Sequence, residues 1–311
     1  LLRLKRLKMG RFLIYFQYIG TRYRGVVRAT SLSASGEKFV GVQDVIEGAL
    51  DELKPVIPVK LHVSSRTDTG VHALCNTADF DMIFKSKRTG EPRDILAESI
   101  TAAVNKKLED HDIRIIKTLR VQDSFHSQHL AMGRTYLYRL AMGCRQIELP
   151  VFEKNRSWAF DQRLDIPSMK EASGRFVGTH DFTAFRNSSM DDDKKSPIKT
   201  IDKIEFRRTE GFLYHHCNKM AQLEFLELTF HSRSFLYKQI RRMTGALVAV
   251  GLGRIAPSHI TTILESRDNS HMHRTTMAPA HGLYLKEVLY NENDLILRNV
   301  PSSPTEDTSI T

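Results

Sequence analysis

Cysteine is scarce in this 311-residue chain: there are three, Cys75, Cys144 and Cys217, an odd number with no CxxC pair. That excludes a disulfide framework and a cysteine-built zinc site, and it fits a reducing compartment. Long apolar runs are missing too. The longest candidate, around Leu247 to Leu252, falls well short of the ~20 residues that span a bilayer, so a soluble protein with no membrane partner is expected. Carboxylates are absent from the opening, where nothing precedes Glu37. The first segment, LLRLKRLKMGR, is basic and apolar in the manner of an organelle transit segment, although residues 1 to 8 also fit a frayed basic terminus, with Met9 starting the folded part.

What is present is an ordinary globular composition, 41% hydrophobic, with a formal charge of +10 and a pI near 9.5. The positive balance favours a polyanionic partner, because phosphate neutralisation with counterion release drives sequence-independent nucleic-acid binding. The length allows two lobes. After a basic tail over 1–10, a first α+β lobe over 11–122 opens on the alternation Phe12, Ile14, Phe16, Tyr18, the mark of a strand. Residues 29–38 are Ser-rich and read as mobile. Helical spacing follows from Val42 to Leu53, then a strand over Val59 to Val63, another through Cys75 to Asp81, a helix around Leu96 to Val104 and a strand over Ile113 to Val121. The second lobe, 123–292, carries strands at Arg134–Leu140, Thr200–Phe206, Leu223–Phe230 and Gly282–Leu289. Its helices start at Pro167, at Ser234 and after Pro257, the second ending at Gly251. Residues 187–196 and 293–311 read as solvated or disordered. Mixed elements without strict alternation predict an α+β fold, with mixed, partly antiparallel sheets flanked by helices.

The stretch most concentrated in chemistry is Ser64 to Ala73, SSRTDTGVHA. It places Asp68 beside Arg66 at the exit of a strand, where Gly70 lets the chain turn at once. An acid held by a fixed cation stays ionised and can attack or take protons; the plainer alternative is a turn-capping Asp with a surface ion pair. Tyr136 and Tyr138 share one strand face, where alternating tyrosines line a core more often than they take part in catalysis. In the helix after Ser234, Leu236, Ile240, Met243, Leu247 and Val250 form the buried stripe, with Lys238 and Arg242 opposite. Arg241 falls on the flank between, either snorkelling at the core's rim or pointing along a cleft wall.

Rival motifs are weaker. Asp68-Thr69-Gly70 is the triplet of aspartic proteases, but apolar residues do not precede it and no second DTG supplies a dyad. Asp79-Phe80-Asp81 resembles a phosphotransferase DxD without its apolar approach or following Gly-Thr. His271, His273 and His281 lack a carboxylate at fixed spacing and read as surface histidines rather than metal ligands. Gly251-Leu252-Gly253 follows a helix, so it is no dinucleotide loop.

The Ser64–Ala73 string resembles the G-R-T-D-A-G-V-H segment of the TruA-type tRNA pseudouridine synthases, with Ser65 for the usual Gly and Thr69 for the usual Ala. Arg134-Thr135-Tyr136-Leu137-Tyr138 is similar to the family's R-[RT]-Y-x-Y strand, Phe235 to Gly245 to its F-V-H-H-M-V-R-N-I-V-G helix, and Gly282 to Leu285 to its G-L-Y-L strand. The resemblance covers residues 11 to 290 and implies the pseudouridine synthase fold, with a catalytic cleft between the lobes. It implies Asp68 as catalytic residue, either attacking the sugar or removing its 2′ proton, Arg241 as its basic partner and Tyr136 on the target base. Arg66, His72, His126 and Arg134 would contact substrate, and Leu283 and Leu285 would wall the pocket. No metal and no cofactor are implied. The partner is RNA, tRNA first and mRNA as the alternative, with a homodimer as the assembly. A mitochondrial location is favoured by the resemblance and the basic opening, with cytoplasm or nucleus as alternatives.

Two departures stand out. Gln128 replaces the Arg of a family D-F-H-A-R stretch that Asp123-Ser124-Phe125-His126 matches in part, and Gly25-Val26-Val27 replaces a loop that usually reads G-W-Q. An animal subfamily of pseudouridylate-synthase-like proteins shares the second loss and the Pro279-Ala280-His281-Gly282 segment. The rival of another class is an RNA-binding assembly factor on the same fold without activity; intact Asp68, Tyr136 and Arg241 argue for an enzyme, an isomerase.

Overall fold

The computed structural model describes residues 9–29, 40–85, 89, 91–93, 95–187, 196–212, 223–272 and 274–297. The opening to residue 8, residues 30–38 of the Ser-rich stretch, the charged run 188–195, Cys217, His273 and the tail from 298 lie outside the described residues.

The first half builds β1 (Gly10–Tyr18), α1 (Val42–Asp51), a short β2 (His62–Val63), β3 (His72–Met82), the small pair β4 (Phe84–Lys85) and β5 (Pro92–Arg93), α2 (Ala97–Lys107) and β6 (Ile113–Arg120). The strand expected over Val59 to Val63 shrinks to two residues because side chains take over its backbone. Asp51 Oδ1 accepts from the Val59 N–H and Glu47 Oε1 from the Leu61 N–H, while both apolar side chains stay buried.

The second half builds β7 (Gly133–Met142), β8 (Trp158–Phe160), α3 (Ile166–Gly174), β9 (Gly178–Asp181), β10 (Ile198–Ile201), β11 (Lys203–Thr209), β12 (Glu224–Ser232), α4 (Gln239–Gly251), α5 (His259–Ser266), β13 (Leu283–Leu289) and α6 (Glu292–Leu295). Asp165 starts α3 by accepting from the Ser168 N–H, with Pro167 in the first turn. The strand expected over 200–206 divides between β10, paired with β9, and β11, paired with β12. α4 begins five residues later than its apolar pattern suggests. Lys238 is left-handed, at φ 59°, and the buried Gln239 side chain accepts from the Leu236 N–H, which closes the start of the helix there. Arg242 also departs from expectation: it is not turned to solvent but bonds Asn187 and Asn269.

The mixed, partly antiparallel sheet with flanking helices is present, and one sheet runs through both halves. Its order is β11-β12-β7-β13-β3-β1-β6, with β2 and β8 attached to β3 and β7. The last strand therefore lies between the halves, antiparallel to β7 and parallel to β3. Leu285 pairs with Tyr136 on one side and Ala73 on the other, so three strands align in one row. Helices α1 to α5 bury their apolar stripes in a single large cluster with one face of the sheet; two smaller clusters, around Phe125 and around Phe225, cover the other face. Among the described residues no helix is long and apolar enough to cross a membrane.

Candidate active site

The loop between β2 and β3 carries Asp68, and neighbours from several elements hold it. The Ser64 N–H reaches Thr77 O, Asn76 Nδ2 donates to Ser65 O, and the Val26 N–H donates to Thr67 O. The Thr67 hydroxyl meets the Tyr18 hydroxyl at 2.7 Å, and burial pushes that phenol's pKa up to about 12, so it stays neutral. The Val71 N–H closes onto Asp68 O at 3.1 Å with Gly70 at φ +79°, the pattern of a type II turn. Gly20 is required for a different reason. A Cβ there would stand 1.9 Å from Val71 O, so only glycine lets the two backbones approach.

Across the row, α4 supplies the cation. Arg241 Nη1 lies 3.1 Å from Asp68 Oδ2, with the side chains 12% and 18% exposed, so the pair is mostly out of water yet open on one side. Arg241 Nε also donates to Ala278 O, and the Ala278 N–H returns a bond to Arg241 O, which fixes the guanidinium's aim. Removing one partner of such a pair costs about 3–5 kcal/mol, because the other charge is left uncompensated. Asp68 Oδ1 receives no hydrogen bond among the described residues, which leaves one carboxylate oxygen for chemistry.

Tyr136 comes from β7, its ring edge-on to Phe235 at 5.3 Å and opposite the fully buried Leu285. Its pKa is raised, first by burial, then by Tyr18, with Asp68 adding to the effect. Leu283 faces Tyr138, whose hydroxyl donates to Pro279 O. The structure thus gathers Asp68, Arg241, Tyr136, Leu283 and Leu285. Arg66 is exposed on the same loop.

The remaining expected contacts sit elsewhere. His72 is buried as a brace: Nδ1 accepts from the Gly20 N–H at 3.0 Å and Nε2 reaches Asn155 O and His281 O. Burial first, then Arg156, lowers its pKa to about 4, which keeps the ring neutral as this bonding needs. His126 stacks on His62 and lies tilted against His129, and burial lowers its pKa. One link to the loop runs through Gln128, whose N–H donates to His126 Nδ1 and whose carbonyl Arg134 holds. Arg134 lies under the loop, bonding Ser65 Oγ at 3.3 Å, a contact the family's usual Gly could not make.

Asp79 and Asp81 are structural. Asp79 accepts from the Ser127 N–H and pairs with His62, and Asp81 pairs with Arg11 through both oxygens. His281 is not a surface histidine, since its Nε2 is buried without a hydrogen-bond partner among the described residues. Tyr18, Asn76 and Phe235 have no separate signal in the sequence as site residues; each reads there only as strand or helix packing.

Relatives match this chain over about nine-tenths of its length. tRNA pseudouridine synthase-like 1 of Xenopus laevis is 45% identical over 92% of this chain and 93% of its own length. The chain belongs to the TruA-type tRNA pseudouridine synthase family. tRNA pseudouridine synthase-like 1 of Homo sapiens is 45% identical over 90% of each chain, and tRNA pseudouridine synthase A of Paramagnetospirillum magneticum is 32% identical over 91% of this chain and 96% of its own. A family model described as tRNA pseudouridine synthase matches residues 172–291, from the end of α3 to just beyond β13. The TruA-type G-W-Q loop is here a brace: Val26, in the aromatic's place, is fully buried and its N–H grips the Asp68 loop.

Proposed function

We propose that this protein isomerises uridine to pseudouridine in structured RNA, tRNA before mRNA, with Asp68 as the catalytic carboxylate. The reading is carried by one observation, the fixed Asp68–Arg241 pair with a free carboxylate oxygen beside Tyr136. Relatives named tRNA pseudouridine synthase support the substrate class. The reaction breaks the bond from C1′ to N1, turns the uracil and forms a bond from C1′ to C5, with a proton leaving C5 and one gained at N1. No step calls for a metal or cofactor. A stacked base cannot turn, so the nucleotide must be extruded first. Asp68 then acts on the sugar through Oδ1 while Arg241 holds Oδ2, and Tyr136 meets the uracil. Leu283 and Leu285 keep the wall behind it apolar.

Asp68→Asn keeps the shape and removes the charge. RNA binding should persist while tritium release from 5-labelled uridine RNA stops. Release near the unaltered rate would sink the assignment, and an unaltered protein that binds RNA without any release would be the inert binding factor. A homodimer and a mitochondrial location complete the reading, the first from family resemblance and the second also from the basic opening. Sedimentation and imaging of the tagged full chain decide them.

A further inference from the structure

The descent from β12 into α4 runs along the rim of this site. Ser232 is buried and anchors the turn by donating to Thr200 O and Ser234 O, and Phe235 sets its ring against Tyr136. Between them Arg233 is exposed, and among the described residues its guanidinium has neither a hydrogen-bond nor an ion partner. Its backbone is the opposite of loose. Arg134 Nη1 donates to Arg233 O at 2.8 Å, while the other nitrogens of the same guanidinium reach Ser64 O, Ser65 Oγ and Gln128 O. One planar group therefore seats residue 233 beside both the Asp68 loop and residue 128. Every acceptor in that set is neutral, so Arg134 brings positive charge to the rim and no carboxylate cancels it. Gln128, also exposed, adds no charge of its own.

We propose that Arg233 contacts the phosphate backbone of the RNA next to the extruded uridine and so positions the nucleotide over Tyr136 and Asp68. A cation on a fixed backbone with its charged end free is what phosphate registration requires, since such contacts set orientation rather than sequence. The inference rests on the RNA-isomerase reading above. It adds a positioning residue from a segment that the loop motif around Asp68 does not include.

The test uses the full chain, an in vitro transcribed tRNA, and Arg233→Gln beside Arg233→Lys. In the glutamine variant KM should rise about tenfold with kcat within about twofold, the scale of one lost charge-assisted contact. The slope of log affinity against log salt should flatten by about one, and lysine should restore it. Unchanged KM and salt slope in Arg233→Gln overturn the inference, as does a fall in kcat at constant KM. If the unaltered protein releases no tritium, the isomerase reading fails first. Filter binding across salt still decides the role of Arg233, and the lysine variant covers any loss of folding in the other.

Discussion

The two halves of the chain supply the site in opposite ways. The first half contributes Asp68 from irregular backbone, made rigid because Thr77, Asn76, Val26 and Tyr18 engage its loop and Gly20 lies against its end. The second half contributes Tyr136 and Arg241 from a strand and a helix, where the repeat of the element sets the side chain's direction and a few neighbours, Phe235 and Ala278, finish its aim. A loop becomes as exact as a strand only when its polar backbone is paired from outside. Its cost is sensitivity to any change in the surfaces that clamp it.

The comparison breaks most sharply at Gly20. Gly20→Ala puts a methyl 1.9 Å from a carbonyl oxygen, backbone against backbone with no flexible side chain to yield. Overpacking of this kind should cost about 3 kcal/mol or more, seen as a lower melting temperature and lost turnover; a variant that melts and turns over normally would show that the clamp is not needed. The second half answers differently. Tyr136 makes no hydrogen bond through its hydroxyl among the described residues, so Tyr136→Phe should fold and bind RNA normally. Its single-turnover rate should drop about a hundredfold if the hydroxyl moves a proton, and an unchanged rate would leave the ring as a stacking surface only. The smallest effect belongs to Gly70. Here φ is +79° but the nearest neighbour of an added Cβ is Ala280 Cβ at 3.5 Å, so space is available and only conformation resists. Gly70→Ala should cost about 1–2 kcal/mol in a denaturation curve; a cost as large as that at Gly20 would mean that the turn, and not the close approach, is the weak point.

Much of this was legible in the residues. Alternation from Phe12 to Tyr18 and the turn at Gly70 follow from local physics, and the flank position of Arg241 follows from helical period. The partner of Arg241 does not, and only the family resemblance names it, because Asp68 is 173 residues away and the row β7-β13-β3 brings the two together. His72 shows the limit most clearly. A histidine after a catalytic loop reads as a substrate contact, and nothing local reveals that Asn155 and His281 close over it from 83 and 209 residues away. The short β2 and the late start of α4 were hidden for a related reason, side chains of Asp51, Glu47 and Gln239 taking backbone partners that periodicity cannot see.

The central place of β13 bears on how the chain is made. Synthesis delivers β1 to β12 first, so a nascent chain lacks the partner of β3 at His72 and Ala73, and of β7 from Gly133 to Tyr138, until the residues from Leu283 onward emerge, although β2 and β8 can already cover the rest of those edges. Open edges invite pairing with other chains. The strand that completes the site is thus also the one that closes the gap between these two open stretches.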